Sequence, residues 1–339
     1  METGEYVEGS VYFYAPNKGA PVFFAVAFAA SGALHTWKCI QYKSWRLTGL
    51  YVFCALLFTV GFVIREIGAF DYDDLIKFIA STCLIYAAPP LLELANYNVL
   101  GRILYYAPYH SPIHPGRVIS TFAFVSIVIE ILNGNGVAYS VNQSLTPSQQ
   151  DMGRSLLKAA LAMQLGVLAL FLLLAGTFHY RCIRAGLRNP NLLNALYTLY
   201  ASTALLLVRT IFRVAEYWTI SEHDFWRDDI DPSTLSPAIR YEWFFWVFEA
   251  TLMLLNHVLM NVRHPRKYLP QSTKTYLALD GVTEVTGPGY KDGRSFLVTI
   301  IDPFNLWGLV KGKDKETRFW EAGEGKPPAT RDVEAQAQA

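Results

Sequence analysis

The stretch L-L-V-R-T-I-F-R-V-A-E-Y-W, residues 206–218, sets two arginines and a glutamate inside an apolar run. Arg209, Arg213 and Glu216 fall at i, i+4 and i+7, so they share one stripe of a helix. Another apolar run carries Glu242, Glu249 and Asn256, each seven residues apart. Glu130 stands in a third, Arg65 beside Glu66 in a fourth, and Glu93 follows Pro89-Pro90 in a fifth. Guanidiniums and carboxylates in such surroundings have two uses. They pair and clip helices together, or they line a polar cavity for the charged head of an amphiphile. In the second use Glu249, Glu130 and Glu242 attract an amine head. Arg209 and Arg213 then hold those acids ionised, or bind a phosphate. The two uses are compatible, because a clip can shape a cavity.

The surroundings follow from composition. The chain has 339 residues, 52% hydrophobic and only 17% charged, against about 25% charged in an ordinary soluble protein. Eight Trp and twenty Tyr suit aromatic belts at two membrane interfaces. A bilayer core about 30 Å thick asks for about 20 apolar residues per helix. Seven stretches meet that test, near 20–40, 48–70, 75–98, 118–138, 155–178, 192–220 and 241–262. The expected fold is therefore an all-α integral membrane protein, a seven-transmembrane helix bundle. Residues 1–19 precede it, 20–262 form the bundle, and 263–339 form a tail with a disordered end.

Loop charge sets the expected orientation. Lys38, Lys43 and Arg46 flank the first connection, Arg102 and Arg117 the third, and Arg181, Arg184 and Arg188 the fifth. Arg263, Arg266 and Lys267 follow the last span. The alternate loops hold D-Y-D-D (71–74), the polar 133–153 and the acidic 221–240. This places the N-terminus outside and the C-terminus in the cytosol. The N-Q-S at Asn142 is an N-glycosylation motif on the outer side. At 1.5 Å per residue, Arg213 lies about 10 Å and Glu249 about 12 Å below the outer helix ends. Depth thus matches Arg213 with Glu249 as a clip and sets Arg65 and Glu130 in the same outer layer. Glu93 and Arg102 fall near the inner face. A central intramembrane charge costs at least about 2.5–3.5 kcal/mol, so these groups must pair or meet water.

Other chemistry is missing. A net charge of +1 gives no basic excess for nucleic acid. No G-x-x-x-x-G-K-[ST] loop appears. The seventh span holds no lysine for a retinal Schiff base. His110 and His114 have an H-x-x-x-H spacing, but prolines and a loop setting speak against a helical zinc pair. His35, His179 and His257 stand on separate helices, and an intramembrane metal hydrolase would need them to converge. The acidic start has no basic n-region and does not read as a secretory signal. The four cysteines show no metal or disulfide spacing. Cys39 and Cys182, near basic helix ends, suit packing or palmitoylation. Residues 295–310 are apolar but short and broken by Asp302-Pro303, which suits an interfacial or docked segment. No enzyme, cofactor or metal site is expected.

The block R-T-I-F-R-V-A-E-Y-W, then Y-E-W-F-F-W-V-F-E-A, then R-H-P, resembles the fungal RTA-like family of lipid-translocating exporters. Arg209, Phe212, Arg213 and Glu216 match its first motif. Glu242, Trp246 and Glu249 match its second, with Trp for the usual Tyr and Glu for the usual Asp. His264-Pro265 matches its third. Y-A-P (14–16), G-F-V-I-R-E (61–66) and the 86–104 segment also match. Ala123, Ser126 and Glu130 stand where members often carry D-x-x-S and then Gln. The resemblance implies a seven-helix protein of the plasma or vacuolar membrane, associated with resistance to toxic amphiphiles such as sphingoid long-chain bases and sterol-like drugs. Its expected partner is a membrane lipid or amphiphile, bound at the polar layer. The alternative is a receptor-like lipid sensor whose tail meets a cytosolic partner.

Overall fold

The structure is a computed structural model that describes residues 7–12, 14–141, 144–221, 236–287, 298, 302, 306–310 and 320. Among these, seven helices are long and apolar enough to cross a membrane. They are α1 (Ala20–Gln41), α2 (Trp45–Ala69), α3 (Leu75–Tyr106), α4 (Val118–Val141), α5 (Pro147–Arg184), α6 (Pro190–Ser221) and a composite α7. The last, α7 (residues 243–262), opens with Trp243–Phe245, widens into a π-helical stretch at Trp246–Thr251, and resumes as α-helix over Leu252–Val262.

Two helices run beyond the spans expected of them. α5 begins where the Gln149 side chain reaches back to the Thr146 N–H at 3.0 Å, with Pro147 in the first turn. It ends on Arg181 and Arg184, which suit the negative end of the helix dipole. α3 runs on to Tyr106 instead of stopping near 98, and its extra turns are buried rather than exposed. The α5 extensions are polar and escape a hydropathy reading, whereas the α3 extension is apolar apart from Arg102 and continues the core.

Neighbours in sequence pack together from α1 to α7, and α7 returns to α1 to close the ring. α3 also packs on α6 and so occupies the centre. α4 and α5 approach closely through glycine: a Cβ added at Gly153 would sit 2.5 Å from the Ser140 nitrogen. One apolar cluster joins Phe28, Phe58, Phe62, Leu92 and Met253 of α1, α2, α3 and α7. Another joins Leu100, Phe122, Phe171 and Leu196 of α3 to α6.

The bundle has two unlike ends, named here by their loops. At the acidic-loop end lie the α2–α3, α4–α5 and α6–α7 connections. The N-terminal segment folds over this end: the Val11 N–H donates to the Tyr72 carbonyl at 3.1 Å, and the Tyr12 ring meets Phe78 edge-on. At the basic-loop end the chain leaves α7 through a turn at Pro265–Lys267, where His264 Nδ1 accepts from the Arg266 N–H at 3.2 Å. It then forms the hairpin β1 (Thr275–Leu277) and β2 (Glu284–Thr286), paired Thr275 to Thr286 and Leu277 to Glu284. In its turn the Asp280 carboxyl is held below the usual carboxylate range by the Thr283 hydroxyl and by the Val282 and Thr283 amides. The Tyr106 hydroxyl donates to Glu284 at 2.9 Å, tying the hairpin to α3.

Cys39 and Cys182 are buried, which favours packing over lipidation. His114 lies in the α3–α4 connection and caps a turn, its Nδ1 accepting from the Gly116 N–H at 3.2 Å. Asn142, the proposed disordered end and most of the 295–310 segment lie outside the described residues. Of that segment a short helix, α8 (Leu306–Val310), is described.

Candidate functional site

The charged residues read from the sequence converge between α2, α3, α6 and α7, nearer the acidic-loop end. Three arginines have three different carboxylate arrangements.

The outermost pair joins α2 to α7. Arg65 Nη2 donates to Glu242 Oε1 at 2.8 Å, with both side chains almost wholly buried. The N-terminal segment completes the pair, because the Asn17 N–H donates to Glu242 Oε2 at 2.8 Å. The rings of Phe245, Tyr12 and Trp246 surround the guanidinium, their centroids 4.1, 4.8 and 5.2 Å away. Both Glu242 oxygens are thus taken, while Arg65 Nε is buried with no hydrogen-bond partner among the described residues.

The second pair joins α6 to α7. Arg209 Nε lies 3.0 and 2.9 Å from the two oxygens of Glu249, again with both groups buried. Among the described residues Arg209 engages Glu249 through Nε alone. Glu93 of α3 and Glu130 of α4 lie within electrostatic reach of its guanidinium. Glu93 is buried, accepting from Gln164 Nε2 at 2.8 Å and from the Tyr97 hydroxyl at 3.4 Å. Glu130 is exposed on the protein surface.

The third arrangement stays within α6. Arg213 Nη1 donates to Glu216, one turn along the same helix, and to the Tyr86 hydroxyl at 3.1 Å. The Tyr86 ring lies under the guanidinium at 4.2 Å. This pair is only partly buried, at 19% and 16% exposure against 5% or less in the other two.

Two expectations are corrected. Arg213 does not pair with Glu249; Arg209 does. Depth counted at 1.5 Å per residue leaves out rotation about the helix axis, and Glu249 lies in the π-helical stretch of α7, which changes that rotation. Glu93 does not sit near an end of the bundle. Because α3 extends to Tyr106, Glu93 falls towards the middle of the helix and joins the layer around Arg209.

Below the charges lies a neutral polar layer. Tyr51 and Ser202 both donate to Asn96 Oδ1, at 3.2 and 3.0 Å, and Asn256 Nδ2 donates to the Ser202 carbonyl at 3.1 Å. Asn256 was legible as part of the α7 stripe; Asn96, Ser202, Gln164 and Tyr86 were not. A lone Gln inside L-A-M-Q-L-G-V-L was the available signal for Gln164. The histidines also differ from expectation. His35 and His257 come together, ring centroids 5.5 Å apart, with His35 Nε2 3.2 Å from the His257 carbonyl oxygen. Their helices α1 and α7 close the ring and bring them together. His179 remains apart, near Tyr197 and Tyr200. No group of three or more metal-ligating side chains occurs among the described residues.

Chemically, the layer is a set of acids and bases with unequal commitment. Glu242 is engaged through both oxygens, Glu249 meets Arg209 through a single nitrogen with two further carboxylates near, and the Arg213 pair is partly open. A charged head group entering here would meet exposed Glu130 and the uncommitted edge of Arg209.

Comparison with known proteins bears on this arrangement. The family described as RTA1 like protein matches residues 51–272, which include every residue of the three pairs. A lipid-translocating exporter-like protein RTA1 of Leptosphaeria maculans is 43% identical over 327 residues, 91% of this chain and 61% of the relative. The chain thus spans less than two thirds of that relative's length. A protein of the same description from Ajellomyces capsulatus is 27% identical over 277 residues, 77% of this chain and 82% of the relative. A probable lipid transporter, atnI, of Emericella nidulans is 24% identical over 279 residues, 77% of this chain and 69% of the relative. No solved structure matches.

Proposed function

The chain belongs to the RTA1-like family, and on that premise we propose that it translocates amphiphilic lipids, its buried arginine–carboxylate layer receiving the head group. The relatives' names, lipid-translocating exporter-like protein and probable lipid transporter, support the class of activity. The observation that carries the reading is the surplus of carboxylates around Arg209: beside its partner Glu249, Glu93 and Glu130 stand within electrostatic reach. A helix clip needs one carboxylate per arginine, as Arg65 has in Glu242, whereas Arg209 has Glu249 and two more within electrostatic reach.

The head group is a cation or zwitterion, as in a sphingoid long-chain base. Its ammonium exchanges into the carboxylates of the layer while the acyl chain stays against lipid-facing helix surfaces. The role is transport without covalent chemistry. It confers resistance to toxic lipids or drugs at the plasma membrane, or at the vacuolar membrane, with the acidic-loop end outside and the basic-loop end in the cytosol.

A second reading, a lipid sensor signalling through its tail, draws on one observation: the hairpin after α7 is tied to the end of α3 through Tyr106 and Glu284. Movement of α3 would reach the tail directly. A chain truncated after residue 287 separates the two readings, since a translocator keeps its activity and a sensor loses its effect.

The test is movement of a fluorescent sphingoid base across proteoliposomes. Wild type should accelerate it, and Glu249→Gln and Arg213→Gln, at equal folded yield, should abolish or sharply slow it. No acceleration by folded wild type under several ion gradients would overturn the reading.

A further inference from the structure

At the basic-loop end a cavity of about 280 Å³ opens between the α1–α2 turn and the chain leaving α7, lined by Gln41, Tyr42, Lys43, Arg266, Leu269 and Gln271. Its charges are all of one sign. Lys43 and Arg266 line it directly. Arg102 reaches the same loop from α3, donating to the carbonyls of Pro270 at 2.7 Å and Gln271 at 2.6 Å. Arg266 Nη1 shares the Pro270 carbonyl at 2.5 Å. Lys38 and Lys267 stand close enough to repel each other. Lys38 donates to the Asn261 carbonyl, and Lys267 to the Val262 carbonyl at 2.9 Å.

None of these five cations forms an ion pair among the described residues. Four of them, Lys38, Arg102, Arg266 and Lys267, donate to backbone carbonyls, which satisfy hydrogen bonds and leave the net charge standing. The excess of basic residues on one side of a membrane protein accounts for their number. It does not account for their convergence on a cavity.

Two local features single out the cavity. Arg266 Nε is buried with no hydrogen-bond partner, a cost that a ligand acceptor would remove. Lys43 has φ 48°, the left-handed conformation that ends many helices and is usually given to glycine. A lysine there keeps a charged side chain at the cavity mouth despite the strained backbone. The dipole at the end of α1 favours one cation nearby, not five.

We propose that this cavity binds a phosphate-bearing head group, with Lys43 and Arg266 as its direct ligands and Arg102, Lys38 and Lys267 as the surrounding field. Phosphate monoesters carry about −1.5 to −2 charge at neutral pH and accept several hydrogen bonds, which matches clustered cations and a guanidinium with an unpartnered nitrogen. The volume is just under the range of about 300–1,000 Å³ that holds a drug-sized ligand. It admits a head group and leaves no room for an acyl chain, which would remain in the bilayer. Basic pockets between helices at a membrane face suit the heads of anionic lipids. The site is remote from the Arg209 layer and does not rest on the translocation reading. Loss of one leaves the other standing.

The experiment uses the full chain in phosphatidylcholine nanodiscs doped with phosphatidylinositol 4-phosphate, read by native mass spectrometry, with a parallel thermal-shift titration of inorganic phosphate. Wild type should retain one phosphoinositide per chain, and Lys43→Gln and Arg266→Gln should each weaken retention about tenfold. Lys43 is exposed, so its variant keeps the fold, checked by an unchanged thermal transition in pure phosphatidylcholine. Arg46→Gln removes a neighbouring charge outside the cavity and should cost less than twofold. Phosphate binding that depends on Lys43 without lipid retention would uphold the site and assign it to a free phosphate. No retention and no phosphate shift, or equal losses in Lys43→Gln and Arg46→Gln, would overturn it.

Discussion

The two ends of the bundle handle positive charge in opposite ways. At the acidic-loop end each of three arginines has a carboxylate: Arg65 has Glu242, Arg209 has Glu249 and Arg213 has Glu216. At the basic-loop end Lys38, Arg102, Arg266 and Lys267 have only backbone carbonyls. Depth explains the difference. An unpaired charge in the hydrocarbon is prohibitive, whereas one at the interface is tolerated in the head-group region. The contrast therefore separates charges that must be neutralised by the protein from charges left for the surroundings to neutralise. The two deep pairs differ in their surroundings, Arg65 having Glu242 and Arg209 having Glu93 and Glu130 near its pair with Glu249, and that inequality distinguishes a clip from a site.

The largest effect should come from breaking a deep pair. Glu249→Gln leaves Arg209 buried without its counter-charge, and a loss of about 3–5 kcal/mol is expected. Reversible unfolding in mixed detergent would measure it. Glu242→Gln should cost about 3 kcal/mol, at the lower end of that range, because the rings of Tyr12, Phe245 and Trp246 still surround Arg65. It should also free the N-terminal segment, seen as faster hydrogen exchange at Asn17, whose amide donates to Glu242.

The same contrast shows how much the sequence revealed. The seven spans and the stripe Arg209–Arg213–Glu216 followed from hydropathy and the helical repeat. So did the two carboxylates of α7. Their partners did not follow. Pairing across helices depends on relative rotation, and the π-helical stretch around Glu249 resets the rotation of α7 without any mark in its composition. Glu93 was misplaced because α3 continues through Gly101 and Arg102 to Tyr106, beyond the point where a count of one membrane thickness ends the span. The cage around Arg65 was hidden for another reason. Tyr12 and Asn17 lie in a segment outside the spans, and only tertiary structure brings them over the bundle.

Smaller effects should sharpen the other side of the comparison. Arg102→Gln removes two charged hydrogen bonds to the loop after α7. At about 1.5–3 kcal/mol for bonds to a charged group, it should loosen that loop to proteolysis and leave lipid translocation unchanged. Equal loss of translocation would make the two ends one functional unit. The smallest effect concerns the hairpin. Asp280 has a depressed folded-state pKa, so its contribution is present above the ordinary carboxylate range and lost as pH falls through the folded value. Protection factors at the Val282 and Thr283 amides should drop in acid, with the spans unaffected, and Asp280→Asn should remove that pH dependence.

The measurement that decides between clip and site is sphingoid-base translocation by the double variant Arg209→Gln/Glu249→Gln, with its stability measured alongside. Removing both partners of a buried pair should recover most of the stability that either single change loses. If the layer receives the head group, the recovered double variant remains unable to translocate. Translocation returning to the wild-type rate together with stability would show that the pair only holds α6 to α7, and would contradict the account.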